Sequence, residues 1–221
     1  MANLQKIAGS AALFEAFIYI SAFVFFGVFW DFPINASDTQ KIAFITDNQI
    51  IMSLVNLTMY VVFGMLLSIL VVAIHQRLKS KAPLLSQVAS IFGIIWVALV
   101  IASGMIANIR LMKVIEISLQ DTDQAMTVWV VINTIVEGLG GGNEVVGGLW
   151  VLLLSIAALR INEFPKTLNY LGLFIGFVGI LTIYPAEVLT EVFGLGQIIW
   201  FSWLGIAMLM NQKVDKQLNL Q

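Results

Sequence analysis

The sequence predicts an all-α membrane protein: a bundle of six transmembrane helices whose third and fourth members are extended or broken on the outer side. Three observations carry the prediction. Of the 221 residues, 60% are hydrophobic and only 11% charged, with a mean hydropathy of +0.96, whereas soluble domains are about half apolar and about a quarter charged. Apolar runs recur at close to the ~20 residues that a helix needs to cross a hydrocarbon core of ~30 Å. The charges collect between those runs, with Lys and Arg concentrated at alternate ends.

The first span covers residues 7–30. It follows Lys6 and resembles a signal peptide in position, but the run is too long for a signal peptide's apolar region, contains Glu15 and lacks a small-residue cleavage site. A polar loop, 31–48, holds Pro33, Asp31, Asp38 and Asp47. The second span, 50–74, ends in a basic segment with His75, Arg77, Lys79 and Lys81. The third, 86–109, continues with helical spacing through Arg110, Lys113 and Glu116 to a turn at 120–123. From Ala125 a new helical pattern returns to the membrane, its spanning part being 138–160. A short connection leads to the fifth span, 167–184, closed by Pro185, and the sixth, 188–210, precedes a polar tail. The whole chain, 1–221, reads as one domain.

Orientation follows from Lys and Arg. One set of ends carries eight (Lys6, Arg77, Lys79, Lys81, Arg160, Lys166, Lys213, Lys216) and the other three (Lys41, Arg110, Lys113). The positive-inside rule then places both termini in the cytoplasm. The segments 86–120 and 125–160 are each ~52 Å long if helical, longer than the hydrocarbon is thick. Either both project outside as an antiparallel hairpin, or each breaks. Gly138, Gly140, Gly141 and Gly142 mark where the fourth would break, because glycine costs ~1 kcal/mol per helical position relative to alanine. Asn143 then serves as N-cap of a restarted helix and Glu144 as its first-turn acid. A faint echo between Gly9-x5-Glu15 and Gly138-x5-Glu144 suggests an inverted repeat of three plus three helices, with no longer self-similarity behind it.

Several chemistries are excluded or weakened. No basic arm or run of like charges exists to bind nucleic acid. Zero cysteines and the single His75 remove thiolate sites, disulfides and a zinc or bis-histidine haem site within one chain. Neither H-E-x-x-H nor G-x-S-x-G occurs, and residues 138–143 lack the third glycine and preceding strand of a dinucleotide fingerprint. Neither a metal nor a cofactor is expected. Asn35-Ala-Ser37 is a formal glycosylation acceptor, meaningful only in a eukaryotic secretory pathway.

The candidate site lies in residues 133–160. On a continuous helix Asn133, Glu137, Gly140 or Gly141, Glu144 and Gly148 would form one polar, small-residue stripe facing the bundle. Ionisable groups within a span are costly and face a cavity or a partner. Glu137 and Glu144 are then a ligand- or ion-binding acid pair, or else water-wetted acids at the outer interface whose glycines serve close packing. A hairpin turning near Thr122 brings Arg110 level with Asn133 and Glu137, as a structural salt bridge or as part of ligand recognition. Glu15, about eight residues into its span, must bond to another helix or carry its proton; Asn56 and Thr58 are candidate partners. Gly172, Gly176 and Gly179 form a close-packing face within the bundle or between two copies, and Trp150, Trp200 and Trp203 read as core or lipid-facing anchors.

The segment 147–181, in which a Leu-rich span ends in Arg160, a short connection contains Pro165 and a Leu/Gly-rich helix follows, resembles a bacterial family of six-span membrane proteins catalogued as a domain of unknown function. The small-residue start of the first span, the long outer loop and the basic second connection are similar too. The resemblance implies the architecture and a bacterial inner (plasma) membrane, and supplies no activity and no site residues. The leading functional reading is therefore taken from the residues alone. It is a membrane binding or transport module that holds a small cationic or amphipathic ligand in an outward-facing pocket of Glu137, Glu144, Asn133 and Asn143, with Arg110 setting the charge balance and Glu15 and Asn56 as buried polar groups. The alternatives are a structural or regulatory membrane subunit without its own ligand, and a lipid-modifying intramembrane enzyme with only carboxylates for acid–base work. Expected partners are membrane lipids, a small molecule, and a second copy or a heteromeric subunit.

Overall fold

A computed structural model describes residues 2–141 and 144–218, and among them all regular structure is helical. The elements are α1 (Ala2–Val24), α2 (Asp38–Asp47), α3 (Gln49–Asn56), α4 (Phe63–Leu78), α5 (Pro83–Ser118), α6 (Thr122–Val136), α7 (Val145–Arg160), α8 (Lys166–Leu181) and α9 (Glu187–Leu218). Among the described residues two π-helical turns interrupt the α-helical path, π1 (Phe25–Phe29) after α1 and π2 (Leu57–Val62) between α3 and α4, and a kinked segment, π3 (Glu137–Gly141), follows α6. Among the described residues, five stretches are long and apolar enough to cross a membrane: Asn3–Phe29, Gln49–Leu78, Pro83–Ser118, Thr122–Arg160 and Glu187–Met210. The stretch Lys166–Leu181 is apolar but shorter, at 16 residues.

Two boundaries move relative to the sequence reading. The first helix starts near the N-terminus instead of at residue 7, and the second runs on to Leu78, through the basic residues, instead of stopping at 74. The polar loop 31–48 is corrected more deeply, since most of it is α2. Ser37 and Gln40 form a reciprocal capping box and Asp38 lies in the first turn, both favourable at a helix N-terminus. Ile42 and Ile45, on one face, are buried against Leu111, Val114, Ala125 and Met126 of α5 and α6. The hairpin of α5 and α6 therefore stands on a second small core of its own. α5 is one unbroken helix of 36 residues, and Asp121 caps α6 by accepting from the Gln124 N–H at 2.9 Å.

The main core packs α1, α4, α5, α7, α8 and α9 around large aromatic rings. Tyr19, Phe63, Trp96, Trp150, Trp200 and Phe201 contact one another in a closed circuit, with successive centroids 5.2–6.2 Å apart, mostly edge to face. Trp150 and Trp200 are thus core residues, while Trp203 is more than a third exposed. Gly148 lets α7 touch α8 backbone to backbone: a Cβ there would lie 2.7 Å from Gly176 O and from Ile180 N. Gly176 and Gly179 meet α7 from the other side, and Gly172 faces Ser155 and Trp200, so this glycine face is spent inside the bundle. At the end that carries the N-terminus, Arg77 Nε donates to Glu163 Oε1 at 2.6 Å and its guanidinium lies over the Phe164 ring, tying α4 to the α7–α8 connection.

Candidate functional site

The helical path from α6 to α7 turns at π3, where Gly140 has φ 159° and ψ 14°, a conformation that L side chains rarely adopt. The stripe expected of a continuous helix is therefore divided. Glu137, at the start of π3, is exposed, while Glu144 is only 8% exposed. Glu144 occupies the N-cap position of α7, where the sequence reading had placed Asn143; Asn143 itself lies outside the described residues. The Glu144 side chain caps nothing. Its backbone does the anchoring: Glu144 N–H donates to Thr182 Oγ1 at 2.8 Å, Thr182 Oγ1 donates to Gly179 O at 2.7 Å, and Gly148 N–H donates to Glu144 O at 2.7 Å. The expectation of a water-wetted interfacial Glu144 is overturned, because π3 folds the residue inward against α5 and α8.

Two linked cavities result. The larger, about 460 Å³, lies at the hairpin end and is lined by Phe26, Trp30, Asn56, Tyr60, Arg110, Trp129, Asn133 and Glu137, among others. Its polar wall is a relay. Arg110 is buried, its guanidinium 3.8 Å from the centroid of the Trp129 ring. Arg110 Nη1 donates to Asn133 Oδ1, and Asn133 Nδ2 donates to Glu137 Oε1 at 2.5 Å. Arg110 and Glu137 thus communicate through the amide of Asn133 and make no direct ion pair.

The smaller cavity, about 190 Å³, adjoins the larger at Phe26 and Tyr60, which line both. Its walls are Tyr19, Phe26, Tyr60, Phe63 and Trp96 with Ile18, Ala22, Met59 and Val100, and Gly140 and Glu144 close one side. Glu144 Oε2 and Trp96 Nε1 are buried without a hydrogen-bond partner; the indole N–H lies close to the carboxyl but outside bonding geometry. The carboxyl group thus belongs to a residue lining an otherwise aromatic pocket, with one buried oxygen left without a hydrogen-bond partner. Two π turns and the kinked segment after α6 meet here: Phe26 comes from π1, Met59 and Tyr60 from π2, and Gly140 from π3. Such turns are rare within helices and concentrate at functional sites.

The remaining polar residues behave differently. Asn56 lines the outer cavity and donates from Nδ2 to Asn108 Oδ1 at 3.2 Å. It is not the partner of Glu15, whose two carboxyl oxygens are wholly buried and unpartnered; Thr58 lies instead on a groove between α1 and α3. Glu15 must therefore carry its own proton or meet a ligand, since an unpaired charge costs several kcal/mol or more in such surroundings. Gln197, missed from the sequence, is also fully buried with both amide atoms unpartnered; the signal was an amide within an apolar span. Tyr19, Tyr60 and Trp96 were missed as well, because aromatic residues in a span read as anchors or core. His75 Nδ1 lies 2.9 Å from Ser86 Oγ, and among the described residues no group of three His, Asp or Glu side chains could hold a metal ion. Comparison of the chain with protein-family models, curated proteins and solved structures finds no match in any of the three.

Proposed function

We propose that the chain is a six-span protein of a bacterial inner membrane with both termini in the cytoplasm, and that it binds or transports a small cationic ligand. Lys166–Leu181 would be its sixth, short span, admitted because the bilayer thins locally or its ends snorkel. The observation that carries the reading is the Glu144 carboxyl, buried, with one oxygen unpartnered, in a pocket walled by aromatic rings. Ring faces attract cations, an arrangement used to recognise alkylated ammonium groups, and a carboxylate supplies the counter-charge that aromatic walls lack. Glu144 lies ~24 Å along the helix from Arg160, near the outer edge of the hydrocarbon, where either a proton or a cation must neutralise it. The outer cavity then serves as a vestibule. Its Arg110 charge is already engaged by Asn133 and Trp129, which favours Glu144 over Glu137 as the binding acid. A purely structural subunit would be expected to satisfy such a carboxyl with a packing partner.

The test is ligand-induced thermal stabilisation of the purified protein in lipid nanodiscs, with tetramethylammonium as probe. Saturation to a hundred times Kd is worth ~2.7 kcal/mol, or a Tm rise of ~5–10 °C for a chain of this size. Glu144→Gln removes the rise and Glu137→Gln retains most of it. An unchanged rise in Glu144→Gln would sink the proposal.

A further inference from the structure

Beside the aromatic pocket, α1 and the α3–π2 segment leave a groove of about 430 Å³ on the outside of the bundle. Ile18 and Met59 line both the groove and the Glu144 pocket, so the two meet at a shared wall. Among the described residues, Ser21 and Thr58 are the only polar ones on the groove; the rest are aliphatic, aromatic or methionine side chains. Both sides of the opening are π turns, with Phe25 and Phe29 from π1 and Thr58 and Met59 from π2. A π turn widens the helix locally and shifts its side chains out of the α-helical register, which opens a seam where two α-helices would otherwise close ridge into groove. The outcome is an apolar groove whose lining shares, among the described residues, only Ile18 and Met59 with the pocket holding the Glu144 carboxyl.

We infer that the ligand is a single-chain cationic amphipath that reaches the site sideways from the bilayer, its ammonium head against Glu144 and its alkyl chain in the groove between α1 and α3. Resting on the binding role proposed for Glu144, this names the class of ligand and its route. Charge complementarity selects the occupant. The pocket presents an acid with an unpartnered oxygen and, among the described residues, no basic side chain in its lining, because Arg110 lines the outer cavity and not the inner one. An anionic head would be repelled there. A neutral tail without a head would leave Glu144 as it was. An alkyl chain in the groove exchanges lipid contacts for protein contacts and holds the amphipath in one orientation, which fixes the head at the pocket and tightens its binding.

The experiment compares tetramethylammonium with dodecyltrimethylammonium, and with dodecyl sulfate as a charge control, binding to the protein in nanodiscs. Three variants accompany wild type: Glu144→Gln, and Ser21→Trp and Thr58→Trp, which fill the groove from opposite walls. Wild type binds the long-chain ammonium at least tenfold more tightly than the short one and does not bind the sulfate at the site. Each groove variant loses at least tenfold in long-chain affinity while keeping tetramethylammonium affinity within twofold, which also shows that its pocket is folded. A gain caused by bilayer partitioning alone would survive both groove variants, and that result overturns the inference while leaving the Glu144 pocket intact. If Glu144→Gln instead binds tetramethylammonium as wild type does, the binding role itself fails.

Discussion

Replacing Gly148 with alanine probes the contact that holds the candidate site in place. A Cβ at this position would sit 2.7 Å from Gly176 O, 2.7 Å from Ile180 N and 2.8 Å from Gly179 C. These are backbone atoms of α8 and cannot rotate away. Ordinary packing needs ~3.5 Å or more between such atoms, so α7 and α8 must separate by ~0.7 Å or more along their contact. Overpacking of this kind costs ~1–3 kcal/mol, with the upper part of the range expected where only backbone can yield. For a chain of this length that is a Tm loss of ~5–10 °C. The same displacement strains the bonds from Gly148 N–H to Glu144 O and from Glu144 N–H to Thr182 Oγ1, so tetramethylammonium binding should weaken as well. Gly138→Ala is the control: no heavy atom lies within 4 Å of a Cβ at that position, and the change should be neutral or stabilising by up to ~1 kcal/mol. Thermal unfolding of both variants in the same nanodiscs gives the answer. A Gly148→Ala protein as stable as the Gly138→Ala protein would refute the close backbone approach of α7 to α8, and with it the account of how Glu144 is positioned.

Thr182→Val keeps the side-chain shape but leaves the buried Glu144 N–H without its acceptor; the expected loss is ~1–3 kcal/mol, read as faster hydrogen exchange at the Glu144 amide than at its α7 neighbours. Arg110→Met removes the donor to Asn133 and the cation over Trp129. It should destabilise the hairpin by a similar ~1–3 kcal/mol and alter Trp129 emission, and unchanged emission would count against the stacked guanidinium.

Composition and the spacing of apolar runs suffice for the class of the molecule and much of its local order. A chain with 60% hydrophobic residues in runs of membrane-spanning length has few ways to satisfy its backbone other than helices. The level at which Arg110 meets Asn133 was legible too, because an antiparallel hairpin with a known turn fixes register arithmetically. α2 could have been read from Ser37-x-x-Gln40 and from Ile42 and Ile45 on one face, although the aspartates around it gave the segment the look of a loop.

Which acid is buried, and what surrounds it, depends on how the helices pack. Glu137 and Glu144 flank one glycine run and look equivalent in a linear reading, yet one is exposed and the other enclosed. The difference goes with the kink at Gly140, and with Thr182 at the end of α8, 38 residues away, which holds the Glu144 backbone. The pocket walls come from α1, π1, π2, α4 and α5, and no periodicity within one helix can encode side chains supplied by another. The π turns were equally hidden, since a helix takes on an extra residue per turn only where its neighbours leave room. Local sequence sets helices and their ends; the register between distant helices, and therefore the chemistry of the space they enclose, is settled by packing.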